Sequence, residues 1–541
     1  MIAVTDSCPK HSVWNIPYRT INAENLMNPS EYDADVAIIG YGPSGVAAAN
    51  ALGSLGVTAR AFERDRDIYP RARAVTISDW TMRLFQSVGL AERAKADMDP
   101  TLALRWQTYD GQQLLYVPFP KGDMGHATSY AIYQPYLEQT LREGVARFGD
   151  KIEVRYGCEV TDVAQDDSGV TVSSTDLATG EVSTTRARYA LACDGGSSPT
   201  REALGIPLIG DTLDVRWVVI DAKVKRWWPN RHILTFWSDK QRPVVDIALA
   251  RDNHRWEIPL NPGESDADFD THDKLWPLLE AMGVSHDDVE IYQHAFYSHH
   301  IRSAQRWQEG RLFLVGDAGH LMPPWAGAGM QSGIRDAFNL AWKLAAVVSG
   351  KLPEAALGTY ESERRPNVEF YTGVAIQLGQ IIKQELPEEE LAALTAEPKP
   401  GAEPELPPLL WPPTYPCGWF TGDITADGAV GKIIPQPRAA NVHGEIALLD
   451  DFLGHDFVLI GAHMDPASML SAQERADWDH LGARYVALRP VDTASEAPTD
   501  IIDIDGTLFE WMHRHGARVI AVRPDKFIAA ADSSGLAVPT I

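Results

Sequence analysis

DADVAIIGYGPSGVAAANALGSLGVTARAFERD, residues 33–65, reads as strand, glycine turn, helix and second strand. Val36 to Ile39 is an apolar strand. Gly40, Gly42 and Gly45 follow as G-x-G-x-x-G. The first glycine permits a sharp turn, the second lets a pyrophosphate approach the backbone, and the third lets helix and strand pack closely. The helix N-terminus offers free N–H groups and the positive end of the helix dipole to the phosphates. The second strand, Thr58 to Phe62, ends at Glu63. An acid about 20 residues beyond the glycines suits a ribose hydroxyl. Glutamate there favours FAD or NAD over a 2′-phosphorylated dinucleotide.

Outward from this fingerprint, 541 residues are enough for about three domains. A formal charge of −26 argues against nucleic acid and anionic membrane surfaces, and simple solubility accounts for it. Cys8, Cys158, Cys193 and Cys417 are scattered without C-x-x-C or metal spacing, so no metal is expected and a reduced, cytoplasmic protein fits best. No apolar run reaches the ~18 residues of a membrane span, and residues 1–30 lack the regions of a signal peptide.

The pattern along the chain divides it. Residues 1–30 are a polar extension, and 31–207 form the first part of the dinucleotide domain. Within that part, Ser78 to Leu90 and Gln134 to Arg147 have helical periodicity, and Thr179-Gly180 marks a hairpin turn. From 208 to 302 short strands rich in Val, Ile, Trp and Phe replace it, as an inserted sheet that would carry the substrate. The first domain resumes over 303–383, with a buried strand at Arg311 to Val315 and a long helix from about Gly329 to Ser349. Residues 384–439 are a Pro-rich linker expected to wrap the surface, and 440–541 are a small α/β domain.

Three further motifs sit where α/β folds bind ligands, at strand C-termini and helix starts. Cys193-Asp194-Gly195 ends a strand and leads to Arg201. Gly316-Asp317 ends another and is followed by His320, Pro323 and Pro324. Gly327-Ala328-Gly329-Met330-Gln331 opens the long helix.

Together the fingerprint, ACDGGSSPTR, GRLFLVGDAGHLMPP and DAFNLAWKL resemble the single-component FAD-dependent aromatic hydroxylases, among them the 3-(3-hydroxyphenyl)propionate and phenol hydroxylases. The resemblance spans roughly 33–541. It implies an α/β chain: a Rossmann-like FAD-binding domain, an inserted β-sheet substrate domain and a C-terminal thioredoxin-like domain. It further implies that NADH or NADPH reduces FAD and that oxygen, activated at flavin C4a, hydroxylates a phenolic ring ortho or para to its oxygen. Expected partners are a small phenolic substrate and O2, with a homodimer left open. By the same resemblance Gly40, Gly42, Gly45 and Glu63 would hold the ADP half of FAD. Arg73 in ARAV would meet the phosphate region and Gln134 the flavin. Asp194 would serve FAD and the nicotinamide cofactor, and Asp317 the ribityl chain. Gly327, Gly329 and Met330 would lie beside the isoalloxazine.

Departures from the family pattern set further expectations. Ala328 and Gln331 replace a common Gln and Asn in the helix-start loop. Val75 stands where phenol hydroxylases place an aspartate, so a carboxylate cannot assist phenol deprotonation from there. A base matched to a phenol would then be a tyrosine or histidine acting through water. Tyr297, His300 and Arg302, where the inserted sheet returns, and Pro323 are the candidate catalytic and substrate-binding residues. A bulkier polyketide-type phenol is the alternative substrate. A flavin-dependent halogenase is disfavoured, because His254-Arg-Trp-Glu-Ile-Pro259 lacks the first tryptophan of W-x-W-x-I-P. A non-catalytic flavoprotein is disfavoured by the intact motifs. Without a cysteine beyond Cys417, the C-terminal domain reads as redox-inert.

Overall fold

The fingerprint folds as its residues require. Ala34–Ile39 is apolar on both faces and sits at the centre of a largely parallel sheet, flanked by Ala59–Glu63 and Val182–Ala192. Ile152–Tyr156 and Leu312–Leu314 extend this sheet on either side, also in parallel. Gly40 turns the chain at φ +89°, and a Cβ there would meet the Cys193 carbonyl oxygen at 2.6 Å. The helix Pro43–Ser54 packs on the sheet through Gly45, where a Cβ would meet the Gly40 carbonyl oxygen at 2.1 Å. The computed structural model describes residues 31–387, 389–390, 410–493 and 497–540. The extension 1–30 and part of the Pro-rich segment lie outside the described residues.

A second eight-stranded sheet is built mainly from the segment expected as an insertion. Its order runs His320–Leu321, Val289–Ala304, Leu208–Val224, Asn253–Pro259, Val244–Leu249, Leu234–Trp237, Ala103–Gln107, Gln113–Pro118. The last two strands come from the part of the chain read as dinucleotide domain. Ala103–Gln107 joins through parallel pairing with Leu234–Trp237, a long-range partnership that local periodicity does not reveal.

Two long helices, Gly329–Val348 and Thr359–Ile382, complete the body. Their contact surface carries buried charge: Asp336 receives Arg364 Nε at 2.8 Å and His320 Nε2 at 2.7 Å, and accepts the Gly316 amide at 3.1 Å. Against its desolvation, His320 and Arg364 hold the Asp336 carboxyl below the ordinary range. His320 thus braces the turn that presents Asp317.

The C-terminal sheet has seven strands. Val458–Ala462 runs parallel to Arg484–Pro490 through the helix Ala472–His480, and a hairpin, Val519–Val522 and Ile528–Ala531, closes the other side. The described part of the Pro-rich segment corrects the expectation of a surface wrap. Tyr415, Trp419, Ile433 and Ile434 are each at most 3% exposed. The prolines prevent regular strands, while the aromatic and aliphatic residues between them drive burial. This segment cements the C-terminal unit to the body.

Candidate active site

A cavity of about 600 Å³ opens between the two large sheets. One half is the fingerprint crevice. Gly40, Gly42, Glu63, Arg73, Gln134, Asp194 and Asp317 line it, and Gly327, Gly329 and Met330 line its continuation. Gly45 lies behind, in the helix–strand contact.

Several of these side chains hold the crevice in shape. Glu63 accepts the Tyr41 amide at 2.8 Å and the Asp65 amide at 2.9 Å, which leaves further lone pairs for hydroxyl donors. Gln134 Oε1 accepts the amides of Arg73 and Ala74 at 2.8 and 2.7 Å, and its Nε2 donates to Glu138. Arg255, from the second sheet, donates to the carbonyls of Ala72 and Arg73. The ARAV loop is therefore clamped from both sides. Gln134 is engaged in that clamp on both ends of its amide.

The crevice fits FAD. A Cβ at Gly40 or Gly327 would collide with a neighbour, at 2.6 and 2.4 Å, the backbone of Gly42 faces open space, and the following helix start presents amides. The Asp194 carboxylate accepts the Thr200 amide at 3.1 Å through one oxygen, and its other oxygen is buried without a partner among the described residues. A buried acceptor left open costs free energy unless a ligand hydroxyl or amide meets it. Desolvation raises the Asp317 carboxyl above its ordinary range, with only partial opposition from His320 and Arg73.

The other half of the cavity is apolar, walled by Leu104, Phe119, Leu234, Phe236, Val245 and Ile247, with Trp325 at its edge. One acid breaks this wall: Glu257, on Asn253–Pro259. Desolvation raises its carboxyl, opposed by Arg255, whose Nη1 is 3.9 Å away. Burial and the negative charge of the nearby Glu257 push the Tyr297 phenol well above the ordinary range. Arg255 is itself fixed by Asp221, with Nε and Nη2 at 2.7 and 2.9 Å.

The sequence-chosen candidates are placed differently. Tyr297 stands behind Glu257 and does not line the cavity. His300 and Arg302, expected from the sequence to meet the substrate, do not line it either. Side chains alternate along a strand. Gln293, Tyr297 and His299 take the face shared with Asp221, Glu257 and Trp325. His300 and Arg302 take the opposite one, where His300 bonds Thr212 at 2.9 Å. Pro323 also stays outside, while Pro324 lines the cavity. Nothing in the local sequence around Glu257 marks it as a site residue. Its chemistry emerges only from cross-strand pairing with Val219 and Val245.

Comparison with known proteins agrees with this geometry. The FAD binding domain family matches residues 33–372, and the HcaD C-terminal domain family matches 431–539. The chain belongs to the FAD-dependent aromatic hydroxylases. It is 36% identical over 521 residues to 3-(3-hydroxy-phenyl)propionate/3-hydroxycinnamic acid hydroxylase 2 of Burkholderia vietnamiensis, covering 93% of this chain and 94% of that one. The corresponding hydroxylase of Mycobacterium avium is 33% identical, at 93% and 90% coverage. Among solved structures, aklavinone-11 hydroxylase with FAD and aklavinone superposes with a TM-score of 0.73 at 23% identity, covering 92% of this chain and 95% of that one. RebC with bound 7-carboxy-K252c gives 0.72 at 26% identity, covering 94% and 97%.

Proposed function

We propose that this enzyme hydroxylates a phenolic acid of the 3-(3-hydroxyphenyl)propionate kind, and that Glu257 accepts the phenol proton. The observation that carries the reading is one cavity with a glycine-lined cofactor half and an apolar half containing a single buried carboxylate. Bound FAD, reduced by NADH or NADPH, supplies the activated oxygen from O2. Gly40, Gly42 and Glu63 would hold its ADP half, with Asp194, Asp317 and the helix-start glycines along the rest. The clamp of Gln134 and Arg255 keeps the ARAV loop against it.

The protein's own contribution is to orient the ring and make it electron-rich. Phenol deprotonation does the latter, and an acceptor works best when its pKa approaches the donor's. Burial moves Glu257 in that direction. Arg255 offsets the negative charge shared with the phenolate. The apolar walls exclude water from the reacting ring. Similarity to the named hydroxylases supports the substrate class, and a bulkier phenol is the alternative.

The C-terminal unit reads as thioredoxin-like in its parallel pair and closing hairpin, and without a dithiol it has a packing role. Among the described residues no helix is long and apolar enough to cross a membrane, in keeping with a cytoplasmic enzyme. The test is NADH and NADPH oxidation with a series of phenols. 3-(3-Hydroxyphenyl)propionate should accelerate it and gain one oxygen by mass. Acceleration without oxygen gain, or none with any phenol, refutes the reading.

A further inference from the structure

Buried guanidinium groups in this protein come with carboxylates. Arg83, Arg201, Arg255, Arg364, Arg489 and Arg523 each have one at between 2.5 and 3.8 Å. Arg335 is equally buried, at 3% exposure, and forms no ion pair among the described residues. Asp79 feels its charge but makes no ion pair with it. Arg335 Nη2 donates to Ser78 Oγ at 3.0 Å and Gln331 Oε1 at 3.1 Å. Its Nε and Nη1 are buried without an acceptor among the described residues.

The group is also held rigidly. Its central carbon lies 4.2 Å from the Trp80 ring centroid and 5.0 Å from that of Tyr371. Gln331 Oε1, one of its anchors, additionally accepts the Ser78 amide and the Thr81 hydroxyl, each at 2.8 Å. Arg335, Ser78, Gln331 and Tyr371 all line the cavity that holds Glu257. A buried cation with idle donors is costly unless an anion completes it. The cavity's acids cannot do so, since none pairs with it.

On the phenolic-acid reading of this cavity, we infer that Arg335 binds the substrate's carboxylate and so selects acids over neutral phenols. Glu257 and Arg335 then have opposite tasks. Glu257, on the sheet, takes the phenol end, and Arg335, on the helix Gly329–Val348, takes the acid end. The aromatic ring is oriented by both. Arg335 lines the cavity where the substrate-binding candidate Arg302 does not.

Calorimetric titration of the oxidised, FAD-loaded enzyme tests this without turnover. The probes are 3-(3-hydroxyphenyl)propionate and its carboxamide, which keeps ring and chain but loses the charge. The wild type should bind the acid about 10- to 100-fold more tightly, the range of a charge-assisted hydrogen bond. Arg335→Met should abolish most of that preference while leaving amide affinity and FAD content unchanged. Arg335→Lys, which keeps charge but not the planar group, should show an intermediate preference and provides a second variant if the methionine does not fold. An acid preference as large in these variants as in the wild type overturns the assignment and leaves the phenolic-acid reading standing. So does weakening of both probes together, which marks a structural or flavin-binding arginine. Equal binding of acid and amide by the wild type overturns the assignment with no variant required. Binding of neither probe overturns the phenolic-acid reading and the assignment with it.

Discussion

Glu257 illustrates what a single residue acquires from its surroundings. On an exposed strand it would be an ordinary carboxylate. Here desolvation raises it and Arg255 restrains the rise. Glu257→Gln keeps the shape and hydrogen-bonding capacity but removes the base. Turnover should fall about 10²- to 10⁴-fold, the usual contribution of a positioned base. Binding of the phenol to oxidised enzyme should change little. In the wild type, turnover should rise with pH through a value above the ordinary carboxylate range, because only ionised Glu257 accepts a proton. The glutamine variant should lose that limb. A wild-type pH profile retained in the variant would move the base elsewhere. Asp317→Ala offers a contrasting case. Losing a charge-assisted bond to the cofactor should weaken FAD by about 1.5–3 kcal/mol, readable by equilibrium dialysis. Asp317 was legible in sequence because G-D at a strand end has positional meaning by itself. Glu257 and Arg335 were not, since both depend on neighbours 38 or more residues distant: Glu257 on Val219, and Arg335 on Trp80 and Ser78.

At the scale of elements, legibility followed periodicity. The fingerprint strand, its helix and the long helix at 329 were readable because each carries a strong local pattern. The returning strand Val289–Ala304 was recognised as the route back towards the cofactor, but its facing was not. A shift in its pairing with Leu208–Val224, between Thr212 and Arg216, obscures which residues point inward. The helix Thr359–Ile382 shows a different limit. Its buried Glu363 meets Arg523 of the C-terminal unit at 2.9 Å through both oxygens and also contacts Lys343 at 2.9 Å. Despite desolvation, Arg523 and Lys343 hold the Glu363 carboxyl down to about 2. A depressed carboxylate stabilises the fold above its unfolded pKa and ceases to do so as pH falls through the folded one. The contribution of Glu363 should therefore be full above about 4.5 and disappear towards about 2. Glu363→Gln leaves buried cations without their partner and should cost about 3–5 kcal/mol at neutral pH. Urea denaturation across this pH range should show the variant's deficit shrinking as the medium becomes acid. A deficit independent of pH would assign the cluster's value to packing instead.

At the scale of the whole molecule, the three large sheets are joined by interfaces that resemble interior. Phe527, from the C-terminal unit, lies 4.1 Å from the Tyr415 ring and 5.8 Å from that of Trp80, inside the core that also contains the fingerprint strand. Arg83 of the body and Asp450 of the C-terminal unit form a buried pair at 2.5 Å. The prolines between body and tail suggested a separable module, because composition reports backbone chemistry and not what the intervening aromatics contact. The absence of cysteine beyond Cys417 remains informative. Cys417 itself donates to the Ser362 carbonyl at 3.2 Å, so Cys417→Ser should leave turnover unchanged. A chain ending at residue 430 should not behave as a trimmed enzyme. It would expose the Trp80–Tyr415 surface and strand the Arg83 guanidinium without its carboxylate, a loss of about 3–5 kcal/mol from that pair alone. The expected outcome is a chain that is recovered in inclusion bodies or binds hydrophobic dyes and retains no FAD. Adding Arg83→Met to the truncated chain should improve its soluble yield, since it removes the stranded charge. A soluble, yellow truncated protein that oxidises NADH in response to a phenol would show instead that the C-terminal unit is an appendage, and that the body holds its active site unaided.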